Sequence, residues 1–152
     1  MHIWVDADSC PRAAKDILFR AADRVRVPLT LVANKPLWTP TSPFIDTIVV
    51  GAGQDVADHE IARRVTPGDL VITADIPLVS DVIARGGFAL NPRGIFYTEA
   101  NARQSLTMRN FADTLRGTGI STGGPPAFSQ KDRMAFANEL DRFLTRHVRQ
   151  VP

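Results

Sequence analysis

Asp6 and Asp8 stand one residue apart in the stretch Ile-Trp-Val-Asp-Ala-Asp-Ser-Cys-Pro, residues 3–11, where an apolar run ends. Two carboxylates this close repel, and withdrawing them from water raises the cost. Either solvent dilutes the repulsion or a cation removes it. On an extended chain residues two apart share a face, so both side chains are expected on one side. Asp55 and Asp58 are three apart near the start of a helical pattern and share a face there. Asp75 follows a buried apolar run, just ahead of Pro77. Carboxylates gathered from several elements suit a hard divalent cation, Mg²⁺ or Mn²⁺, which prefers oxygen ligands. A plainer reading makes Asp55 and Asp58 helix caps that favour the macrodipole. That reading fits the Asp6/Asp8 pair less well, because one cap is enough. The expected site is Asp6, Asp8, Asp58 and Asp75, with Asp55 as a further candidate.

Other residues offer weaker chemistry. Cys10 at a helix start is a setting for a reactive thiol, but no histidine stands as its base and Asp8 opposes a thiolate. Gly51-Ala52-Gly53 precedes a helix but lacks the third glycine of a dinucleotide loop. His2, His59 and His147 show no metal-ligand spacing. The basic residues form a second group. Arg93 lies in an Asn-Pro-Arg-Gly turn whose backbone N–H groups could help it hold a phosphate. Arg103, Arg109 and Arg116 follow on one helical stretch, and Lys131 and Arg133 open the last helix. Such a basic face is ordinarily only solvated; an acidic metal site nearby would give it a polyanion to hold.

The elements that must position these groups alternate. Residues 2–6 read as a buried first strand, and Ser9 or Cys10 is placed to cap a helix with Pro11 at its first position. That helix runs to about Val25, with Ala14, Ile17, Leu18, Ala21 and Val25 at helical spacing. Strands are expected at 28–33, 46–50, 69–74 and 88–91, and helices over about 55–65 and from Pro77 to the Gly86-Gly87 pair. Residues 34–44 hold Pro36, Pro40 and Pro43 and must be a loop. Strands alternating with helices indicate a mostly parallel sheet covered on both faces, with every strand's carboxyl end on one edge. Open sheets of this kind bind ligands at that edge, and Asp6 and Asp75 both belong to it. After residue 98 the alternation stops. A helix over about 102–116, a Gly/Ser/Pro-rich loop, and a last helix follow, the last with Ser129 and Asp132 at capping-box spacing. Its apolar face is expected at Met134, Ala137, Leu140 and Phe143 or Leu144.

The 152 residues suffice for one domain with a proper core, and 44% hydrophobic and 22% charged residues are ordinary for a soluble globular chain. No apolar run approaches the roughly 20 residues of a membrane span. No signal peptide is readable, and one cysteine excludes an internal disulfide, so a cytoplasmic protein is expected. Residues 1–84 carry 8 Lys/Arg against 11 Asp/Glu, whereas 85–152 carry 10 against 5. That asymmetry would pair a cation site with a polyanion-binding surface.

The blocks Trp-Val-Asp-Ala-Asp-Ser-Cys-Pro, Asp-Val-Ala-Asp-His-Glu-Ile, Asp-Leu-Val-Ile-Thr-Ala-Asp-Ile-Pro-Leu, Asn-Pro-Arg-Gly and Gly-Pro-Pro-Ala-Phe-Ser-Gln-Lys-Asp-Arg-Met-Ala-Phe resemble, in order, the YaiI/YqxD family of bacterial proteins. That family is grouped with the PIN-like nucleases. The resemblance covers nearly the whole chain and implies a three-layer α/β fold: one domain over 1–152, its 98–152 portion a helical extension packed on a mostly parallel sheet. It implies aspartates after the first strand, in a middle helix and after the fourth strand. Here these are Asp6 with Asp8, Asp58 with Asp55, and Asp75, with Ser9 and Thr73 as neighbouring hydroxyls.

The implied activity is metal-dependent phosphodiester hydrolysis with one or two Mg²⁺ or Mn²⁺ ions, on RNA rather than DNA. The partner is then single-stranded or structured RNA, its phosphates held by Arg93, Lys131, Arg133, Arg109 and Arg116. Two alternatives stand beside it. One is a non-catalytic RNA- or partner-binding module that keeps the carboxylates. The other is a phosphatase of the haloacid-dehalogenase type, which also has a strand ending in Asp-x-Asp but further requires a lysine after a later strand.

Overall fold

The computed structural model describes residues 1–53, 55–104 and 127–148. Its strands are β1 (Ile3–Asp6), β2 (Leu29–Ala33), β3 (Ile45–Val49), β4 (Leu70–Ile72), β5 (Phe88–Leu90) and β6 (Phe96–Tyr97). Its helices are α1 (Arg12–Val25), α2 (Val56–Arg64), α3 (Ile76–Ala84), a helical stretch over 99–104 (α4), and α5 (Gln130–His147). The six strands form one sheet in the order β3-β2-β1-β4-β5-β6, parallel throughout except for β5–β6. The mostly parallel α/β architecture expected from the alternation is therefore present. The antiparallel edge was not anticipated: β6 is too short to leave a periodic pattern.

The strands are apolar on both faces because both faces are covered. Ile3, Val5, Leu29, Leu31, Leu70, Ile72 and Leu90 point to the side of α1 and α5, where they meet Leu18, Phe136 and Leu140. Trp4, Val32, Val71 and Ala89 point the other way, onto Ile61 of α2 and Leu78, Val79 and Val82 of α3. Strand alternation thus supplies two cores from one sheet.

Three local expectations are corrected. Neither Ser9 nor Cys10 caps α1. A 3₁₀ turn over Ala7–Ser9 intervenes, and the helix starts after Pro11 with no side-chain cap. The α4 stretch begins at 99 rather than 102, because Thr98 and Asn101 bond each other's backbone N–H groups reciprocally. The rest of that expected helix and most of the Gly/Ser/Pro-rich loop lie outside the described residues. On α5 the Ser129–Asp132 capping box is present, but Met134 is exposed and Phe136 is buried in its place. The buried face is Phe136, Leu140, Phe143 and Leu144, spaced four, three and one apart.

The Asn-Pro-Arg-Gly turn is what seats α5. The Asn91 side-chain oxygen accepts from the Arg93 backbone N–H at 2.7 Å. Arg93 then bonds Asp132 at 2.7 Å. Gly94 has φ +90°, and a Cβ there would lie 2.7 Å from the backbone of Ala135. Only glycine allows this approach.

Candidate metal centre

Sheet order reverses between β1 and β4: the chain builds outward to β3 on one side and through β5 to β6 on the other. The crevice beyond the carboxyl ends of two such strands is the standard ligand position of open α/β sheets. Here β1 ends in Asp6, β4 leads into Asp75, and the N-terminal turn of α2 brings Asp58 over the gap. A cavity of about 520 Å³ opens there. Asp6, Asp8, Asp55, Asp58 and Asp75 line it with Ser9 and Asn34, and no described lining residue is basic.

Asp6 is buried. Its Oδ2 accepts from Thr73 Oγ1 at 3.0 Å and Ser9 Oγ at 3.1 Å. Ser9, free of a capping role, thus supports the carboxylate instead. Burial pushes the Asp6 pKa up; the two hydroxyls oppose this and the Asp75 charge adds to it. Asp58 is pushed to about 7 by desolvation, then by the charges of Asp6, Asp75 and Asp55 around it. Its carboxyl has an oxygen within 4.8 Å of one of Asp75, and Asp6 is near enough to perturb it. A proton at Asp58 therefore relieves some of the crowding.

Asp75 has a second duty. It is the N-cap of α3, its Oδ1 accepting from Leu78 N–H at 3.0 Å, while Thr73 Oγ1 accepts from its own N–H. Asp55 occupies the N-cap position of α2 in a left-handed conformation, φ 67°, and makes no side-chain cap. Capping therefore does not account for its carboxylate. Asp55, Asp58 and Asp75 each offer an oxygen within 4.8 Å of the others.

Asp8 stands apart. β1 ends at Asp6, so Asp8 belongs to the 3₁₀ turn and the shared-face expectation for a strand does not apply to it. It reaches the cavity rim, where its Oδ2 accepts from Asn34 N–H at 3.0 Å. His59, whose spacing in the sequence points to no metal, and Asp81, which no sequence signal singles out, line an adjoining hollow of about 240 Å³ that also touches Asp55, Asp58 and Asp75. Asp81 sits six residues after Asp75, but nothing distinguishes it there from an ordinary exposed helical acid.

Of the basic group, Lys131 and Arg133 are exposed at the start of α5. Arg93, beside them, is engaged with Asp132. Arg109 and Arg116 lie outside the described residues. Cys10 is buried and its thiol is pushed up to about 12, chiefly by desolvation, which disfavours the thiolate a nucleophile needs. No described helix is long and apolar enough to cross a membrane.

Fold and cleft together define an α/β protein with an aspartate cluster at the switch point of its sheet. Comparison with known sequences then gives the family. Residues 4–146 match the family described as "Uncharacterized BCR, YaiI/YqxD family", and the chain belongs to it. It is 64% identical over 146 residues to a "UPF0178 protein" of Janthinobacterium sp. (strain Marseille), covering 96% of this chain and 97% of that one. It is 62% identical over 150 residues to the "UPF0178 protein" of Halorhodospira halophila, covering 99% of each. No solved structure matches the chain significantly.

Proposed function

We propose that the protein is a metal-dependent nuclease that hydrolyses phosphodiester bonds, in RNA rather than DNA. The observation that carries this is the convergence of Asp55, Asp58 and Asp75 within 4.8 Å, with buried Asp6 adjoining, at the switch point of the sheet. The donor set fits the implied metal: every candidate ligand is a carboxylate oxygen, the type hard divalent cations prefer. Asp55, Asp58 and Asp75, with buried Asp6 beside them and Asp8 at the rim, would hold one or two Mg²⁺ or Mn²⁺ ions. A bound ion of this kind supplies Lewis-acid polarisation of a phosphoryl oxygen and acidifies a bound water.

The chain's own groups do the rest. Thr73 and Ser9 fix the Asp6 carboxylate by their hydroxyl bonds. Asp58, its pKa pushed up to about 7 by desolvation and by its acidic neighbours, would give up its proton on cation binding. Lys131 and Arg133 are exposed to hold flanking phosphates, whereas Arg93 keeps α5 in place. The phosphatase alternative fits less well, because no described residue lining the cavity is a lysine.

The experiment is cleavage of single-stranded RNA and DNA with Mn²⁺, with excess chelator, and by Asp58→Asn and Asp75→Asn. Cutting of RNA that chelator and either variant abolish is expected. Cutting that survives both would move the chemistry elsewhere; Mn²⁺ binding without cutting would favour the non-catalytic module. RNA affinity, measured with Ca²⁺, should also fall steeply between about 50 and 200 mM salt. Lys131→Ala with Arg133→Ala should reduce the slope of log affinity against log salt by roughly one to two.

A further inference from the structure

Trp38 is 74% exposed, more than any other large hydrophobic side chain among the described residues. An isolated surface aromatic needs no explanation. Trp38, however, is presented by an ordered loop and has cations beside it. Residues 34–44 carry Pro36, Pro40 and Pro43, which limit backbone freedom. Asn34 at the loop's start donates its N–H to Asp8, Ser42 bonds Asp23 of α1, and Leu37 packs against the core. The indole stands nearly perpendicular to the ring of buried Phe19, at 75° with centroids 6.2 Å apart. Such an edge-to-face contact steadies the indole while covering at most one of its faces.

Beside it is a hollow of about 300 Å³ lined by Arg12, Lys15, Asp16, Phe19, Leu37 and Trp38. Two cations and one anion leave it net positive, in contrast to the all-acidic cleft. The two are continuous along the chain. α1, which carries Arg12 and Lys15, follows the turn bearing Asp8. The Trp38 loop starts at the Asn34–Asp8 bond on the cleft rim. Trp38 is four positions after Asn34, at most roughly 14 Å of extended chain. A strand of a few nucleotides with one phosphate at the aspartates can therefore reach the indole.

We infer that Trp38 is a stacking platform for an unpaired base of the RNA strand whose backbone enters the aspartate cleft, with Arg12 and Lys15 holding the adjoining phosphates. This rests on the nuclease reading for the strand's direction, but on Trp38 and its surroundings for the site. A flat aromatic face accepts any base, and cations beside it follow the backbone, so single strands are favoured over duplexes whose base faces are already stacked.

The test uses the full chain with Ca²⁺ and a short single-stranded RNA, read by tryptophan fluorescence and by anisotropy of a labelled copy. Trp4 is buried, so quenching on binding reports Trp38. Trp38→Ala should weaken binding roughly 5- to 150-fold, Trp38→Phe much less, and Arg12→Gln with Lys15→Gln should flatten the salt dependence. Because Trp38 is exposed, the shift in melting temperature with Mn²⁺ should be the same in Trp38→Ala as in the unmodified protein. RNA binding unchanged in Trp38→Ala, or unaccompanied by quenching, overturns the platform and leaves the aspartate reading standing. No RNA binding at all overturns the platform whether or not Mn²⁺ binds. Loss of the Mn²⁺ response in the unmodified protein, with Trp38-dependent RNA binding intact, would instead overturn the metal site alone.

Discussion

Asp6 and Asp69 are almost equally buried, at 6% and 4% exposure, and lie at opposite ends of neighbouring parallel strands. Asp69 is at the amino edge, just before β4. It accepts from His2 N–H (3.0 Å), Trp4 Nε1–H (3.1 Å), and both Thr66 N–H and Thr66 Oγ1 (3.0 Å each). Asp6 is at the carboxyl edge, with two hydroxyl donors and the carboxyls of Asp58 and Asp75 close by. One buried carboxylate is thus surrounded by donors and the other by further carboxylates. Burying a charge without enough donors is costly, so the first arrangement stabilises the fold and the second is paid for elsewhere. The difference separates a structural aspartate from a site, where residue type and burial alone do not.

The largest effect should come from removing the satisfied carboxylate. Asp69→Ala leaves the buried Trp4 N–H and three partly buried donors without their acceptor, and should cost about 2–4 kcal/mol. A shift of the urea midpoint at unchanged slope reads this directly. A cost within about 0.5 kcal/mol, the range of ordinary surface changes, would erase the contrast between the two edges.

Adding the cation should come next. A ligand that binds only the native state stabilises by about 2.7 kcal/mol at a hundredfold excess over its dissociation constant. For a chain of this size that corresponds to roughly 5–10 °C in melting temperature. Mn²⁺ should produce such a rise, and the Asp58→Asn, Asp75→Asn pair should abolish it. An equal rise in the paired variant would place the ion somewhere other than this cleft.

Much of this contrast could be read in the sequence, though unevenly. The parallel sheet, its carboxyl edge and the positions of Asp6, Asp58 and Asp75 follow from alternating apolar runs and right-handed crossovers, which depend on many residues at once. The Asp8 position does not. One 3₁₀ turn after Asp6 changes the face of everything that follows, and nothing in Ala-Asp-Ser announces it. Asp69 reads in the sequence only as the first residue of a strand, because two of its donor residues, His2 and Trp4, are more than sixty residues away in the chain. Met134 and Phe136 show the limit at a helix: both fit an apolar stripe, and only the packing against Gly94 and the sheet selects Phe136.

Smaller, and opposite in sign to Asp69, is the effect of neutralising the crowded carboxyl. Asp58→Asn should leave stability without metal unchanged or raise it by up to about 1 kcal/mol, since the group is partly solvated and screened. The pH dependence gives the sign. Asp58 binds its proton more tightly folded, at about 7 against an ordinary 3.8, so its contribution is fully present at acid pH and is lost as pH rises through 7. Asp6 is displaced in the same direction. Thermal melts without metal should therefore fall between about pH 4 and 7, less steeply in Asp58→Asn. A rise over that interval would mean that the carboxyl edge is as well satisfied as the amino edge.

Asp8→Asn should have the smallest effect, and it tests how far the crowded region extends. Asp8 is exposed, on a turn, and among the described residues its one hydrogen bond is from Asn34 N–H, which an asparagine oxygen can also accept. Stability should change by less than about 0.5 kcal/mol. Its oxygens are not among the three carboxylates that converge within 4.8 Å, so the Mn²⁺-induced rise should shrink in Asp8→Asn but survive. In the same melts Asp58→Asn should lose more of it. If Asp8→Asn instead removed the rise as completely as Asp58→Asn, the ion would sit toward the Asp6–Asp8 mouth of the cleft rather than over α2. The Asn34 bond would then be what holds a ligand in place, and the loop that leads to Trp38 would be anchored on the metal site itself.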